Sequence, residues 1–285
     1  MAGGAKGAPR CKVRVVGTQP SRICAKRGLS AIKVLRAYAL GTTLLAAFST
    51  PVAAQPPGLV VSVAASVYNA LDEIAALYRA TTGVAVALNA GGSNTLARQL
   101  VEGAKAGLFI SADEIQMDAV EKAGRIVPGT RLRLLTNELA VVVPQSTQQF
   151  TLAQLLDGRI ARLAMGEPGA VPAGVYGRRW LEHEGAWRRV ESKVIPFPTV
   201  RAVLSAVEAG RVDAGIVYRT DATTSAVRVV GTMSRKDHPY LDIAYPAAVI
   251  VGPSEQEAKR FLEFLKGPAA RAVFDRRGFG RPDER

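Results

Sequence analysis

Two cysteines and two histidines are all the thiols and imidazoles in 285 residues. Cys11 and Cys24 both lie in the first 24 positions. Structural disulfides, thiolate metal sites and a cysteine nucleophile are therefore excluded from the rest of the chain. His183 and His238 alone do not make a His-rich metal centre. His183 stands between Leu181-Glu182 and Glu184 on a charged helical stretch, and His238 stands between Asp237 and Pro239 in a turn. Ser66 and Ser93 lack the Gly-x-Ser-x-Gly surroundings of a nucleophile elbow, so a serine hydrolase is the weaker reading of both. No repeat of fixed period and no low-complexity tract follows residue 55.

Acidic residues are absent from residues 1–54, which hold nine Lys and Arg. The remaining 28 basic residues face 24 acidic ones, so most of the net charge of +13 belongs to this leader. A nucleic-acid partner loses its main support on that count. The leader reads as a targeting segment. Its basic stretch ends at Lys33 and Arg36, the apolar run Ala37 to Phe48 is too short for a membrane-spanning helix, and Val52-Ala53-Ala54 supplies small residues for cleavage before Gln55. No Arg-Arg pair precedes the apolar run and no cysteine follows it, so neither twin-arginine export nor lipidation is expected. The expected location is periplasmic, with 1–54 as signal peptide and 55–58 (Gln-Pro-Pro-Gly) as linker.

Beyond the linker, strands and helices alternate. Leu59 to Ala65 is an apolar, β-branched run of the kind a buried strand requires. Leu71, Ile74, Ala75 and Tyr78 then fall at helical spacing, and Gly83 ends that helix before a strand over Val84 to Leu88. Further strands are expected at 108–110, 139–143, 162–165, 214–218 and 247–251. Helices are expected from Ser93, over 115–123, around 176–184, through Val200 to Val207, and over 255–266 and 269–275. The alternation predicts α/β architecture with parallel sheets covered on both faces.

Four strand-to-helix junctions stand out because a helix start offers unpaired N–H groups and a partial positive charge to an anion. Ser66 follows the first strand, and Ser93 follows Gly91-Gly92. Ala173 opens the helix after Val171-Pro172, and Val200 opens another after Thr199. Tyr218, at a strand end, adds a hydroxyl. Taken singly, Ser66 and Ser93 read as ordinary N-caps and Tyr218 as a strand-end tyrosine in water. Glu167 and Asp221 lie near these junctions in sequence and, as carboxylates, are expected at the surface.

Together these segments resemble the molybdate-binding proteins of bacterial ABC importers. The likeness runs from about Val61 to Phe279. It is carried by Ala64-Ala65-Ser66 with Asn69-Ala70, Ser93-Asn94-Thr95-Leu96-Ala97-Arg98-Gln99, Leu108-Phe109-Ile110-Ser111-Ala112-Asp113, Val171-Pro172-Ala173-Gly174-Val175-Tyr176, Gly215-Ile216-Val217-Tyr218, Tyr245-Pro246 and Leu265-Lys266-Gly267-Pro268. Gly91-Gly92 departs from the serines or alanines usual there, and Gly107 replaces a usual Asp. The resemblance implies a two-lobed type II periplasmic-binding fold with parallel-rich sheets, divided as lobe I (59–139 and 244–285) and lobe II (140–243). It implies a non-enzyme without cofactor or free metal ion, which binds molybdate or tungstate through Ser66, Ser93, Ala173, Val200 and Tyr218. The implied partner is the membrane permease of an ABC importer, served by a monomer. A binding protein for sulfate or another tetrahedral oxyanion is the nearest alternative. A regulator's ligand-sensing domain would need a helix-turn-helix ahead of Leu59, where the chain is apolar and rich in small residues instead.

Overall fold

The computed structural model describes residues 58–223 and 225–282; the expected signal peptide lies outside them. The first half runs β1 (Leu59–Ala64), a 3-10 turn (Ala65–Val67), α1 (Tyr68–Thr82), β2 (Val86–Gly91), α2 (Ser93–Val101), β3 (Leu108–Ile110), α3 (Glu114–Lys122) and β4 (Leu132–Thr136). Then follow β5 (Leu139–Pro144), α4 (Leu152–Leu156), β6 (Leu163–Gly166), α5 (Pro172–His183), α6 (Trp187–Val190), β7 (Val194–Phe197), α7 (Val200–Glu208), β8 (Ala214–Tyr218), α8 (Arg219–Ala222) and β9 (Val227–Met233). The chain closes with β10 (Ala244–Val249), α9 (Glu255–Lys266) and α10 (Pro268–Arg276). Among the described residues no helix is long and apolar enough to cross a membrane.

Two five-stranded sheets result, ordered β2-β1-β3-β10-β4 and β7-β6-β8-β5-β9. Both are mixed rather than wholly parallel, which corrects the expectation from alternation alone. In each, three parallel strands are followed by an antiparallel one, β10 in the first sheet and β5 in the second. These are the first strands laid down after the chain changes sheet. The changes occur between β4 and β5, and again between β9 and β10. The two crossover segments are tied together where the Asn137 N–H donates to the Ile243 carbonyl at 3.2 Å.

Burial explains why the apolar runs became strands. Every residue of β5, β8 and β10 is buried apart from Pro144, and β1 is buried except at Val60. Helices cover these faces with the residues their spacing predicted. Leu71, Ile74 and Tyr78 of α1 are buried, as are Val203, Leu204 and Val207 of α7. The second strand begins at Val86 and runs to Gly91, two residues later than the expected start and three beyond the expected end. Strand β10 begins earlier than expected, at Ala244. Val84 is buried yet outside the strand, so apolar character alone misplaced that edge.

Two glycines are fixed by close packing. A Cβ at Gly107 would lie 2.5 Å from Leu59 Cδ1 and 3.3 Å from Ala258 and Ser254, so the departure from the resembled pattern has a steric reason. A Cβ at Gly174 would lie 2.1 Å from the Gly166 carbonyl oxygen, which lets the start of α5 sit directly on the end of β6. Gly174→Ala is expected to destabilise the protein by about 1–3 kcal/mol or more, because backbone has to move to admit the methyl. A lower urea midpoint with an unchanged slope would agree with this, and an unchanged midpoint would contradict it.

Candidate functional site

The C-terminal ends of β1 and β2 in one sheet, and of β6, β7 and β8 in the other, converge on one small cavity. In open α/β sheets this crevice beyond the strand ends is where ligands bind. Its volume is about 20 Å³, and its wall is built from Ala64-Ala65-Ser66, Gly91-Gly92-Ser93, Ala112, Val171-Pro172-Ala173, Thr199-Val200 and Tyr218. All five residues singled out in the sequence are in this wall. No charged side chain is.

Each position is presented by local structure. Ser66 sits in the 3-10 turn between β1 and α1, and Ser93 is the first residue of α2. Neither serine caps its helix, so the ordinary N-cap role does not apply. Both are buried, at 5% and 2% exposure. Ser66 Oγ lies 2.9 Å from Tyr245 Oη. Ser93 Oγ accepts the Ala112 N–H at 3.0 Å, so its own proton remains available to the cavity.

The two backbone donors follow from helix geometry. Pro172 at the start of α5 has no N–H, and the amides of Gly174 and Val175 return to the Val171 carbonyl at 2.8 and 2.9 Å. The Ala173 N–H therefore belongs to the helix-start amides that lack an intrahelical acceptor. At α7, Thr199 caps the helix by accepting the Ala202 N–H at 3.2 Å, and the Val203 N–H reaches the Thr199 carbonyl at 3.3 Å. Val200, the first residue of α7, precedes both bonds. The dipoles of α2, α5 and α7 add partial positive charge at these ends.

Tyr218 ends β8 at 1% exposure, so the plainer alternative of a strand-end hydroxyl in water does not apply. Its Oη reaches the Ala112 carbonyl at only 3.5 Å, a weak bond that a better acceptor displaces. Burial pushes its phenol pKa well up, so it stays a donor at neutral pH. Gly92 allows the two sheets' loops to meet. A Cβ there would lie 2.8 Å from the Pro198 carbonyl oxygen, so glycine permits a closeness that a larger residue would not.

Neither nearby carboxylate is in the wall. Glu167 is exposed, as expected, but Asp221 is completely buried, contrary to expectation. Asp221 Oδ1 pairs with Arg201 Nε at 3.0 Å, beside Val200 on α7. Burial is the larger influence and Arg201 opposes it, leaving the Asp221 pKa pushed up to about 7. Asp113, the N-cap of α3, is likewise raised to about 6 by burial. Neither histidine lines the cavity. His183 stacks on Tyr240 at 3.9 Å, and Ser66 and Ser93 have a phenol and an amide as partners instead of an imidazole. Among the described residues no group of three or more His, Cys, Asp or Glu is arranged to hold a metal ion.

The comparisons with known proteins can be set beside this geometry. Residues 59–280 match the family described as bacterial extracellular solute-binding protein. The chain belongs to that family. It is 40% identical over 230 residues to the molybdate-binding protein ModA of Escherichia coli strain K12, covering 78% of this chain and 88% of that one. The periplasmic molybdate-binding protein of Azotobacter vinelandii superposes with a TM-score of 0.71 at 24% identity, over 79% of this chain and all of that one. The sulfate-binding protein SubI of Mycobacterium tuberculosis superposes with a TM-score of 0.66 at 17% identity, over 80% and 88% of the two chains. These last two likenesses are of fold. They identify the two-sheet architecture as that of type II periplasmic-binding proteins.

Sequence reasoning passed over Tyr245 as a site residue, although the Tyr245-Pro246 pair was part of the resemblance. It also passed over Asn137, which donates to Tyr245 Oη at 3.2 Å. The two are linked to Ser66 by hydrogen bonds from positions 179 and 71 residues away, a relation that only the fold reveals.

The buried acids have a consequence for stability. From about pH 4 to pH 7 an unfolded chain has ionised Asp221 while the folded chain keeps it protonated. The folded state therefore binds more protons, and stability falls as pH rises through this window. Asp221→Asn is expected to flatten that slope in urea titrations at successive pH values. An unaltered slope would contradict the assignment.

Proposed function

We propose that this chain is a periplasmic molybdate-binding protein, which captures molybdate or tungstate between two lobes and delivers it to the membrane permease of an ABC importer. The lobes are residues 59–139 with 244–285, and residues 140–243. Residues 1–54 form the signal peptide, and the protein acts as a monomer without cofactor or catalytic step. The observation that carries this reading is the cavity. Ser66, Ser93 and Tyr218 bring hydroxyls, Ala173 and Val200 bring helix-start amides, and no charge of either sign is present.

Molybdate at neutral pH carries no proton, so it accepts hydrogen bonds and donates none. A wall of donors matches it at every oxygen. Hydrogen phosphate would bring a donor of its own to a wall without a carboxylate, at a cost of about 1–3 kcal/mol for the unmatched group. Size agrees. A cavity of about 20 Å³ suits a small ion rather than a ligand of drug size. The 40% identity to a molybdate-binding protein over most of both chains supports molybdate ahead of sulfate, for which the likeness is of fold at 17% identity.

Calorimetric titration checks the residue roles. Ser66→Ala and Ser93→Ala are each expected to weaken molybdate binding by about 1.5–3 kcal/mol, the range for hydrogen bonds to charged groups. Unchanged affinity in both variants would remove these serines from the site. A thermal-shift panel on the chain from Gln55 checks the ligand. Molybdate and tungstate at 100 times their Kd are expected to stabilise by about 2.7 kcal/mol, with phosphate silent. A shift with sulfate alone would transfer the protein to sulfate transport.

A further inference from the structure

One buried side chain, Asn137, is in contact with both lobes. It lies in the first crossover, between β4 and β5, at 6% exposure. Its amide meets Thr220 of α8 and Tyr245 of β10, which flank the second sheet and belong to the first sheet respectively. Tyr245 in turn meets Ser66 in the cavity wall.

The orientation of the Asn137 amide follows from one fixed donor. The Glu138 backbone N–H only donates, and it reaches Asn137 Oδ1 at 2.9 Å. This contact sets the amide orientation, so Nδ2 faces Thr220 Oγ1 at 2.9 Å and Tyr245 Oη at 3.2 Å and spends both of its protons there. Tyr245 Oη therefore accepts from Asn137. Its own proton is left for Ser66 Oγ, 2.9 Å away. Burial pushes the Tyr245 phenol far above its ordinary pKa, so that proton is retained at neutral pH. With the bond in that direction Ser66 Oγ accepts, and the serine proton is left for the cavity.

We infer that Asn137 and Tyr245 are positioning residues for the oxyanion site: they polarise a hydroxyl chain that holds Ser66 as a donor and couples the crossover between the lobes to the ligand. The inference rests on the reading of the cavity as an oxyanion site. Without this chain the Ser66 hydroxyl is free to rotate and to turn a lone pair toward an anion. Ser93 is oriented in the same sense by the Ala112 N–H, so each serine meets the ligand with one oxygen lone pair already engaged. Tyr245 is completely buried with its ring edge-on to Phe279 at 5.6 Å, so replacing it by phenylalanine removes the hydroxyl and keeps the packing.

A double-mutant cycle read by molybdate calorimetry tests this. Tyr245→Phe is expected to weaken binding about three- to tenfold with Ser66 present, in line with the loss of one oriented hydrogen bond. In the Ser66→Ala background the same substitution is expected to cost less than twofold, since no serine remains to be oriented. A loss through altered packing would be equal in both backgrounds, and that result would overturn the relay while leaving the oxyanion site intact. Absence of molybdate binding in the wild type would instead overturn the functional reading and the relay with it, and full affinity in Ser66→Ala would overturn the relay by removing Ser66 from the site. Asn137→Asp supplies a second, independent reading. At a pH where the introduced carboxylate is ionised it only accepts, so the Tyr245 and Ser66 protons turn toward it and Ser66 offers a lone pair to the cavity. The ratio of phosphate to molybdate affinity is then expected to rise more with Ser66 present than in the Ser66→Ala background. Equal rises would attribute the effect to charge alone and overturn the relay.

Discussion

A small dianion gives up its water only to groups that replace every hydrogen bond the water made. The proposed oxyanion site is organised around that constraint. Lysine or arginine in the cavity would satisfy the charge without regard to protonation state, and a carboxylate would favour a ligand that still carries a proton. Uncharged hydroxyls and amides do neither. They hold an anion through geometry, and their strength depends on being fixed in place before the ligand arrives.

The fold meets this demand by topology. Each sheet carries three parallel strands whose C-terminal ends point the same way, and each places an antiparallel strand beside them where the chain arrives from the other sheet. Five strand ends are thereby directed at one small volume from two sides. The packing is close enough that glycine is required at Gly92, opposite the Pro198 carbonyl, and at Gly174, against the end of β6. The same closeness buries Asp221 and Asp113 near the cleft, where burial raises their pKa and favours the proton-bound, uncharged form over an added negative charge.

Much of this was legible in the order of residues, for identifiable reasons. Strand and helix cores are local: Leu71, Ile74 and Tyr78, or Val203, Leu204 and Val207, announce a buried face by spacing alone. The cavity-lining positions were legible for the same reason, because a strand end feeding a helix start is a local event. What spacing does not carry is pairing. The antiparallel places of β5 and β10 depend on where the chain crosses between sheets, and the burial of Asp221 depends on Arg201 from another helix. The Asn137–Tyr245–Ser66 chain joins three elements that are distant in sequence. Gly107 looked like a departure until Leu59, Ala258 and Ser254 were seen around it.

The central claim is that one oxyanion is held by five uncharged donors and touched by no charged side chain. Diffraction from crystals grown with molybdate, recorded at the molybdenum absorption edge, measures this directly. A single anomalous peak is expected in the cavity, with anion oxygens about 2.7–3.1 Å from Ser66 Oγ, Ser93 Oγ, Ala173 N, Val200 N and Tyr218 Oη. A peak elsewhere, or one whose oxygens meet a lysine, arginine or carboxylate in place of these donors, would contradict the account.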